Sequence, residues 1–130
     1  MIKSNELRIG NYITAKGAID PFENYLTVCG LEEKLITTKY FSHEGQCWQI
    51  IRNKDNYIGI PLTGEWIIKL GSENKNQLYE IYPFEFYIDD FGECSIYFKG
   101  HNLSIFNYVH ELQNIYFSIT GKELEIKNND

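Results

Sequence analysis

The sequence predicts a small α+β domain with a strand-rich first half, a short helix, a β-hairpin and one long C-terminal helix packed on the sheet. Three observations predict this class. The first 60 residues contain short runs of β-branched and aromatic residues separated by turns, residues 84–99 alternate with a period of two, and residues 104–121 repeat with the helical period. A chain of 130 residues suits one domain, and we expect it to span residues 1–130.

The first half is predicted to form a small, SH3-like β-barrel of about five strands. Gly10 interrupts the first strand, which we interpret as a kink or bulge where a small barrel bends. Turn residues such as Lys16-Gly17 separate the strands, and no helical period occurs in this half. The five predicted strands are Leu7–Thr14, Tyr25–Cys29, Leu35–Phe41, Cys47–Ile51 and Tyr57–Ile60.

A short helix is predicted at Gly64–Leu70, just after Pro61. Thr63 is placed to cap its first turn, and Gly71 is placed to end it. The residues that it should turn inward are Trp66, Ile67 and Leu70. Residues 72–77 are polar and are predicted to form a loop.

A β-hairpin is predicted next. Apolar residues alternate with polar ones from Phe84 to Asp89, a charged turn follows at residues 89–93, and Cys94–Lys99 alternates again as the return strand. Residues 99–102 are then predicted to lead into the long helix.

The long helix is predicted from Ser104, whose hydroxyl can cap the first turn, to Gly121, which can take a left-handed conformation at the end. Its apolar stripe consists of Ile105, Tyr108, Val109, Leu112, Ile115, Tyr116 and Ile119. We expect Leu112 and Ile115 to be buried against the sheet.

The charge is divided unevenly along the chain. Residues 1–60 contain seven acidic and seven basic residues, whereas residues 61–130 contain eleven acidic residues and five lysines, so the second part carries the whole net charge of −6. Direct binding to nucleic acid needs clustered cations and is therefore disfavoured. A protein or ribonucleoprotein with a basic surface is the better electrostatic partner.

The residues that could support catalysis or hold a metal are dispersed. No short His or Cys spacing typical of a metal site and no glycine-rich nucleotide loop occurs, so we expect no enzyme activity, metal or cofactor. An enzyme that pairs Cys47 or Cys94 with a distant histidine stays open as the least favoured alternative. The start lacks the apolar core of a signal peptide and no apolar run is long enough to span a membrane, which predicts a cytoplasmic protein. The dispersed residues are Cys29, Cys47, Cys94, His43, His101 and His110.

Two surfaces are candidates for binding a partner. The first is the hairpin, where negative charge lies beside aromatic rings that suit an Arg-lined groove; its residues are Glu85, Tyr87, Asp89, Asp90, Glu93 and Tyr97. The second is the helix face opposite the apolar stripe, formed by Phe106, His110, Gln113, Asn114 and Phe117. That face either recognises a partner or is itself covered, with His110 and Gln113 as hydrogen-bonded buried groups.

Three stretches, LRIGNYI at 7–13, IPLTGEWIIKLG at 60–71 and YVHELQNIYFSITGKEL at 108–124, resemble a family of small uncharacterised proteins from phages and prophages of Bacteroidetes. The family pattern reads LRIGNYV, PLTEEWLLKFGF and YVHQLQNLYFALTGEEL, in the same order. This chain has Gly64 where the pattern has Glu, and Leu70 and Ser72 where it has Phe. The resemblance implies a phage or mobile-element origin, and it brings no catalytic signature.

The leading hypothesis is therefore a non-enzymatic binding protein that inhibits or modulates a host protein such as a CRISPR-Cas nuclease or another defence complex. The anti-CRISPR role follows from the phage origin that the resemblance implies. The alternative is a nucleic-acid-binding module that uses the SH3-like barrel, with exposed tyrosines or Trp48 stacking on bases.

Overall fold

A computed structural model describes residues 6–18, 25–41, 45–72, 74–75, 78–89 and 94–127. Within these residues the chain is a mixed α+β protein with two five-stranded antiparallel sheets and a C-terminal helix. None of the helices in these ranges is long and apolar enough to cross a membrane.

The first sheet contains five strands in the order β4-β3-β2-β1-β5, and its neighbours are all antiparallel. They are β1 (Tyr12–Ala15), β2 (Leu26–Leu31), β3 (Leu35–Phe41), β4 (Cys47–Asn53) and β5 (Tyr57–Gly59). A single 3-10 turn at Lys54–Asn56 redirects the chain from β4 to β5. Strands β4 and β5 lie at opposite edges, and no strand pairing among the described residues closes the sheet into a barrel.

The second sheet is an antiparallel meander in the order β10-β9-β8-β7-β6. Its strands are β6 (Asn74–Lys75), β7 (Leu78–Ile81), β8 (Phe84–Ile88), β9 (Cys94–Phe98) and β10 (His101–Phe106). The alternation of Phe84 and Phe86 with Glu85 and Tyr87 gives β8 one buried and one solvent-exposed face, which confirms the predicted strand. The predicted return strand is confirmed as β9.

Two helices connect and cover the sheets: α1 (Gly64–Lys69) and α2 (Val109–Thr120). The predicted cap of α1 is confirmed, since the Trp66 N–H donates to the Thr63 hydroxyl at 3.3 Å. Gly121 ends α2 with φ +74°, the left-handed conformation expected of a glycine there.

The larger hydrophobic core fills the space between the inner face of the second sheet, α1 and α2, and it also receives Tyr12 from β1. A smaller core lies within the first sheet and centres on Ile13, Ile36 and Tyr57. Leu112 is fully buried, as predicted, whereas Ile115 is only half-buried against the larger core, and α2 covers the second sheet through this face. Other fully buried residues of the larger core are Trp66, Ile67, Leu70, Phe84, Phe86 and Ile96.

The start of the long helix was predicted too early. Residues Ser104–Phe106 belong to β10 and pair with β9, so Ile105 and Phe106 are strand residues. The helix begins only after Tyr108, where the Glu111 carboxylate accepts the backbone N–H groups of Asn107 and Tyr108 at 3.1 Å each. Pairing with β9 supplies backbone hydrogen bonds that an extra helical turn would have to replace.

Three other local predictions were wrong. The segment predicted as the first half of strand 1 is a turn closed by the Asn11 N–H to the Arg8 carbonyl, which leaves Ile9 exposed. The described part of the 72–77 loop contains β6. Residues 101–102 begin β10 rather than leading into the helix.

Gly64 packs closely against the second sheet. A Cβ added to Gly64 would lie 2.5 Å from the hydroxyl oxygen of Tyr79, a side chain on the inner face of β7. A larger residue at the first position of α1 would have to displace the end of the Tyr79 side chain, so this close approach favours glycine.

Candidate functional site

The Gln113 side chain lies at the centre of a buried polar network. Its amide oxygen accepts the Tyr12 N–H at 2.8 Å, and its amide nitrogen donates to the carbonyls of Gly10 and Leu124 at 3.1 Å each. Gln113 is only 1% exposed. It joins the N-terminal segment, α2 and the C-terminal segment, which favours the structural alternative over partner recognition.

Arg8 and Asn114 extend this network towards the surface. The Arg8 guanidinium donates to the side-chain amide oxygen of Asn114 at 3.2 Å, pairs with the Glu123 carboxylate, and stacks 3.9 Å from the centre of the Phe117 ring. Phe117 remains 39% exposed beside this cation. Among the described side chains of the predicted helix face, Phe117 therefore presents a ring to solvent.

His110 is also buried, at 1% exposure, and stacks on Tyr108 with ring centres 5.7 Å apart. Its Nε2 lies 3.5 Å from the Glu6 carboxylate, which is too long for a strong hydrogen bond. Neither ring nitrogen has a hydrogen-bond partner within the described residues. Burial lowers the pKa of His110 below its ordinary value of 6.5, and Glu6 and Glu111 offset this effect only in part.

The outer face of the second sheet brings three of the predicted hairpin residues together. Glu85 lies directly opposite Tyr97 on β9, and Tyr87 is two residues along β8 on the same face. The same face also carries Glu80, which lies directly opposite Glu85 on the other side, so β7 and β8 hold two carboxylates side by side. We call Glu80, Glu85, Tyr87 and Tyr97 the acidic face.

The turn of the hairpin is less fully described. Asp89 follows β8, is half-buried and has an interaction partner. Asp90 and Glu93 lie outside the described residues. The predicted contribution of the turn to binding thus stays a prediction, while the two hairpin strands and β7 provide the acidic face.

Glu80 was not predicted to lie on this face, because the period-two pattern was recognised only from Phe84 onwards. The alternation in fact continues backwards across Tyr82-Pro83: Leu78 and Glu80 face outward, and Tyr79 and Ile81 face the core. A period-two reading of LYEI would have found β7, and with it the second carboxylate.

The three cysteines differ in burial. Burial raises the pKa of Cys94 to about 12, so its thiol is protonated at neutral pH. Cys47 is exposed and Cys29 is half-buried. No group of three or more His, Cys, Asp or Glu side chains in the described ranges is placed to hold a metal ion.

The first sheet carries a second candidate site, a cavity of about 480 Å³ beside β3 and β4. Its lining combines aromatic rings of Tyr25 and Tyr40 with the cations of Arg52 and Lys69. The Lys69 ammonium lies 4.7 Å from the centre of the Tyr25 ring. This composition suits an anionic or aromatic ligand rather than a basic one.

Comparisons with known proteins add no assignment to either site. No protein-family model, curated protein or solved structure matches the chain.

Proposed function

We propose that this protein is a non-enzymatic binding protein that docks its acidic face on a basic surface of a host protein and thereby inhibits or modulates it. The observation that carries the proposal is the direct opposition of Glu80 and Glu85 beside Tyr97. Like charges directly opposite on neighbouring strands destabilise a sheet. A partner cation between them would relieve that repulsion on binding.

The chemistry of the face favours arginine on the partner. Paired carboxylates accept the forked donors of a guanidinium, and the neighbouring tyrosine rings offer aromatic area on which it can stack. Tyr87 is 48% exposed and Leu78, opposite it, is 39% exposed, so apolar surface adjoins the charge. Charged residues on such a surface mainly speed association and select the partner.

The class of partner comes from the resemblance in three sequence stretches to phage and prophage proteins. A nuclease of a CRISPR-Cas system, or another defence complex, has Arg-lined grooves that receive a nucleic-acid backbone. The acidic face matches such a groove in charge, and the net charge of −6 acts in the same direction.

The test is capture from a lysate of the bacterial host treated with nuclease. Wild-type protein should retain a protein that the double variant Glu80→Lys/Glu85→Lys loses. The control is Glu32→Lys/Glu33→Lys, which has the same net charge but alters exposed acids after β2. Equal capture by both variants would contradict a role for the acidic face.

Binding of nucleic acid is the second candidate function, and the cavity beside β3 and β4 favours it through its tyrosines and its two cations. It depends on an SH3-like arrangement of the first sheet, which the strand order and the 3-10 turn before β5 support. A gel-shift assay at low salt separates the two functions. Tight, salt-sensitive binding of DNA or RNA that is lost in Arg52→Ala would favour this candidate.

A further inference from the structure

Strand β4 is a long, regular sheet edge without the usual protection. It pairs with β3 through seven consecutive residues without a register shift, and no strand among the described residues lies on its other side. The remaining edges of the two sheets differ: β5 has three residues, β6 has two, and β10 contains a register shift. Proteins normally shorten, bend or charge an exposed edge because it can pair with another strand.

The side chains of β4 are also unusually apolar for an exposed edge. Trp48 is 51% exposed and Ile51 is 65% exposed, on opposite faces of the strand. The strand contains one charged residue, Arg52, and no proline. Both faces and the backbone of this edge are thus suited to contact with another strand.

The backbone geometry shows which groups are available. The Lys54 N–H donates to the Lys34 carbonyl at 2.9 Å, and this pair continues the β3–β4 register. Since hydrogen-bonded pairs alternate in an antiparallel ladder, Trp48, Ile50 and Arg52 bond to β3. The N–H and C=O groups of the odd-numbered residues Gln49 and Ile51 point to the free edge.

We propose that β4 pairs with β4 of a second copy of this chain, antiparallel and centred on Ile50, to form a continuous ten-stranded sheet. In this register Ile50 faces Ile50 of the second copy, and Gln49 of each copy exchanges two backbone hydrogen bonds with Ile51 of the other. Trp48 of each copy faces Arg52 of the other, which places two cation–π pairs on one face.

The sequence of β4 favours a second copy of the chain as the strand that pairs with this edge. An aromatic ring and a guanidinium stand at equal distances on either side of Ile50, so the edge is complementary to itself under a two-fold rotation. Residues 1–60 carry seven acidic and seven basic residues, so this half of the chain does not repel its copy. The acidic face lies on the other sheet.

Sedimentation of the purified full chain over a range of concentrations tests the proposal. We expect a reversible dimer. Ile51→Pro should raise its dissociation constant at least about tenfold, because it removes an outward N–H while keeping every hydrogen bond to β3. The control Ile51→Thr retains the N–H and the β-branched shape, and it should still dimerise.

Disulfide trapping tests the register and does not depend on tolerance of proline. In a Cys47→Ser background, Ile50→Cys should oxidise to a covalent dimer, since a non-hydrogen-bonded pair places the two Cα atoms about 4.5 Å apart. Trp48→Cys should not, because its two copies would be about 13 Å apart along the strands. A monomer at all concentrations, or equal trapping of both cysteine variants, would overturn the proposal.

Discussion

The amide of Gln113 holds three distant segments of the chain together, and it does so from the face of α2 that the sequence left open for binding. A helix face that carries His110, Gln113 and Asn114 is equally suited to a partner or to buried polar contacts, because both uses need the same donors and acceptors. The position of residues 6–11 decides between the two uses, and the periodicity of the helix gives no information about where those residues pack. The structure places that segment directly over the face.

Replacement of Gln113 should therefore be costly. Gln113→Leu leaves the Tyr12 N–H and the carbonyls of Gly10 and Leu124 without their partner, and it should reduce the free energy of unfolding by at least about 2 kcal/mol. Urea titration measures the loss. Ser118→Ala, on the exposed part of the same helix, should change it by less than about 0.5 kcal/mol. Equal effects would show that the network contributes nothing.

His110 predicts a dependence of stability on pH. Burial lowers the pKa of His110 in the folded protein. As the pH falls below 6.5, this imidazole is therefore protonated in the unfolded chain before it is protonated in the folded chain. The stabilisation by neutral His110 is complete above pH 6.5 and is lost as the pH falls through the lowered pKa. His110→Gln should thus lose less stability than wild type between pH 7.5 and 5. His101→Gln, which removes an exposed imidazole, should follow wild type.

At the scale of elements, local signals predicted most strands and the short helix. Thr63 predicted the cap of α1, and the alternation around Phe84 and Phe86 predicted β8, because each signal lies within the element it marks. The start of α2 depends instead on the pairing of β10 with β9. Ser104 and Ile105 fit the helical period, yet a strand partner eight to ten residues away in sequence determines their conformation.

Residues of α2 differ in burial, and this difference predicts how much stability each truncation to alanine costs. Leu112→Ala should lower the free energy of unfolding by about 2 to 5 kcal/mol, because a fully buried side chain leaves a cavity in the larger core. Ile119→Ala, at 38% exposure on the last turn, should cost clearly less. Thermal or urea unfolding compares the two. Similar losses would mean that α2 presents a different face to the second sheet.

At the scale of the whole molecule, the two proposed binding surfaces lie on different sheets. The acidic face belongs to the second sheet and the unprotected edge β4 to the first, so the proposed dimer would leave both acidic faces open. Two such faces could engage two basic sites at once and raise the apparent affinity. The charge asymmetry between the two halves of the sequence predicted that the second part of the chain carries the negative surface. The position of that surface could not be predicted, because it depends on the strand register that brings Glu80 opposite Glu85.

The association rate of the captured host protein with this chain, measured at increasing ionic strength, tests the central proposal most directly. The wild type should associate more slowly as salt rises, because screening weakens the attraction between the acidic face and a basic surface. Glu80→Lys/Glu85→Lys should associate at least about tenfold more slowly at low salt, with a weaker salt dependence, while Glu32→Lys/Glu33→Lys should stay close to wild type. Association rates that are independent of salt, and equal for the two variants, would contradict binding through the acidic face.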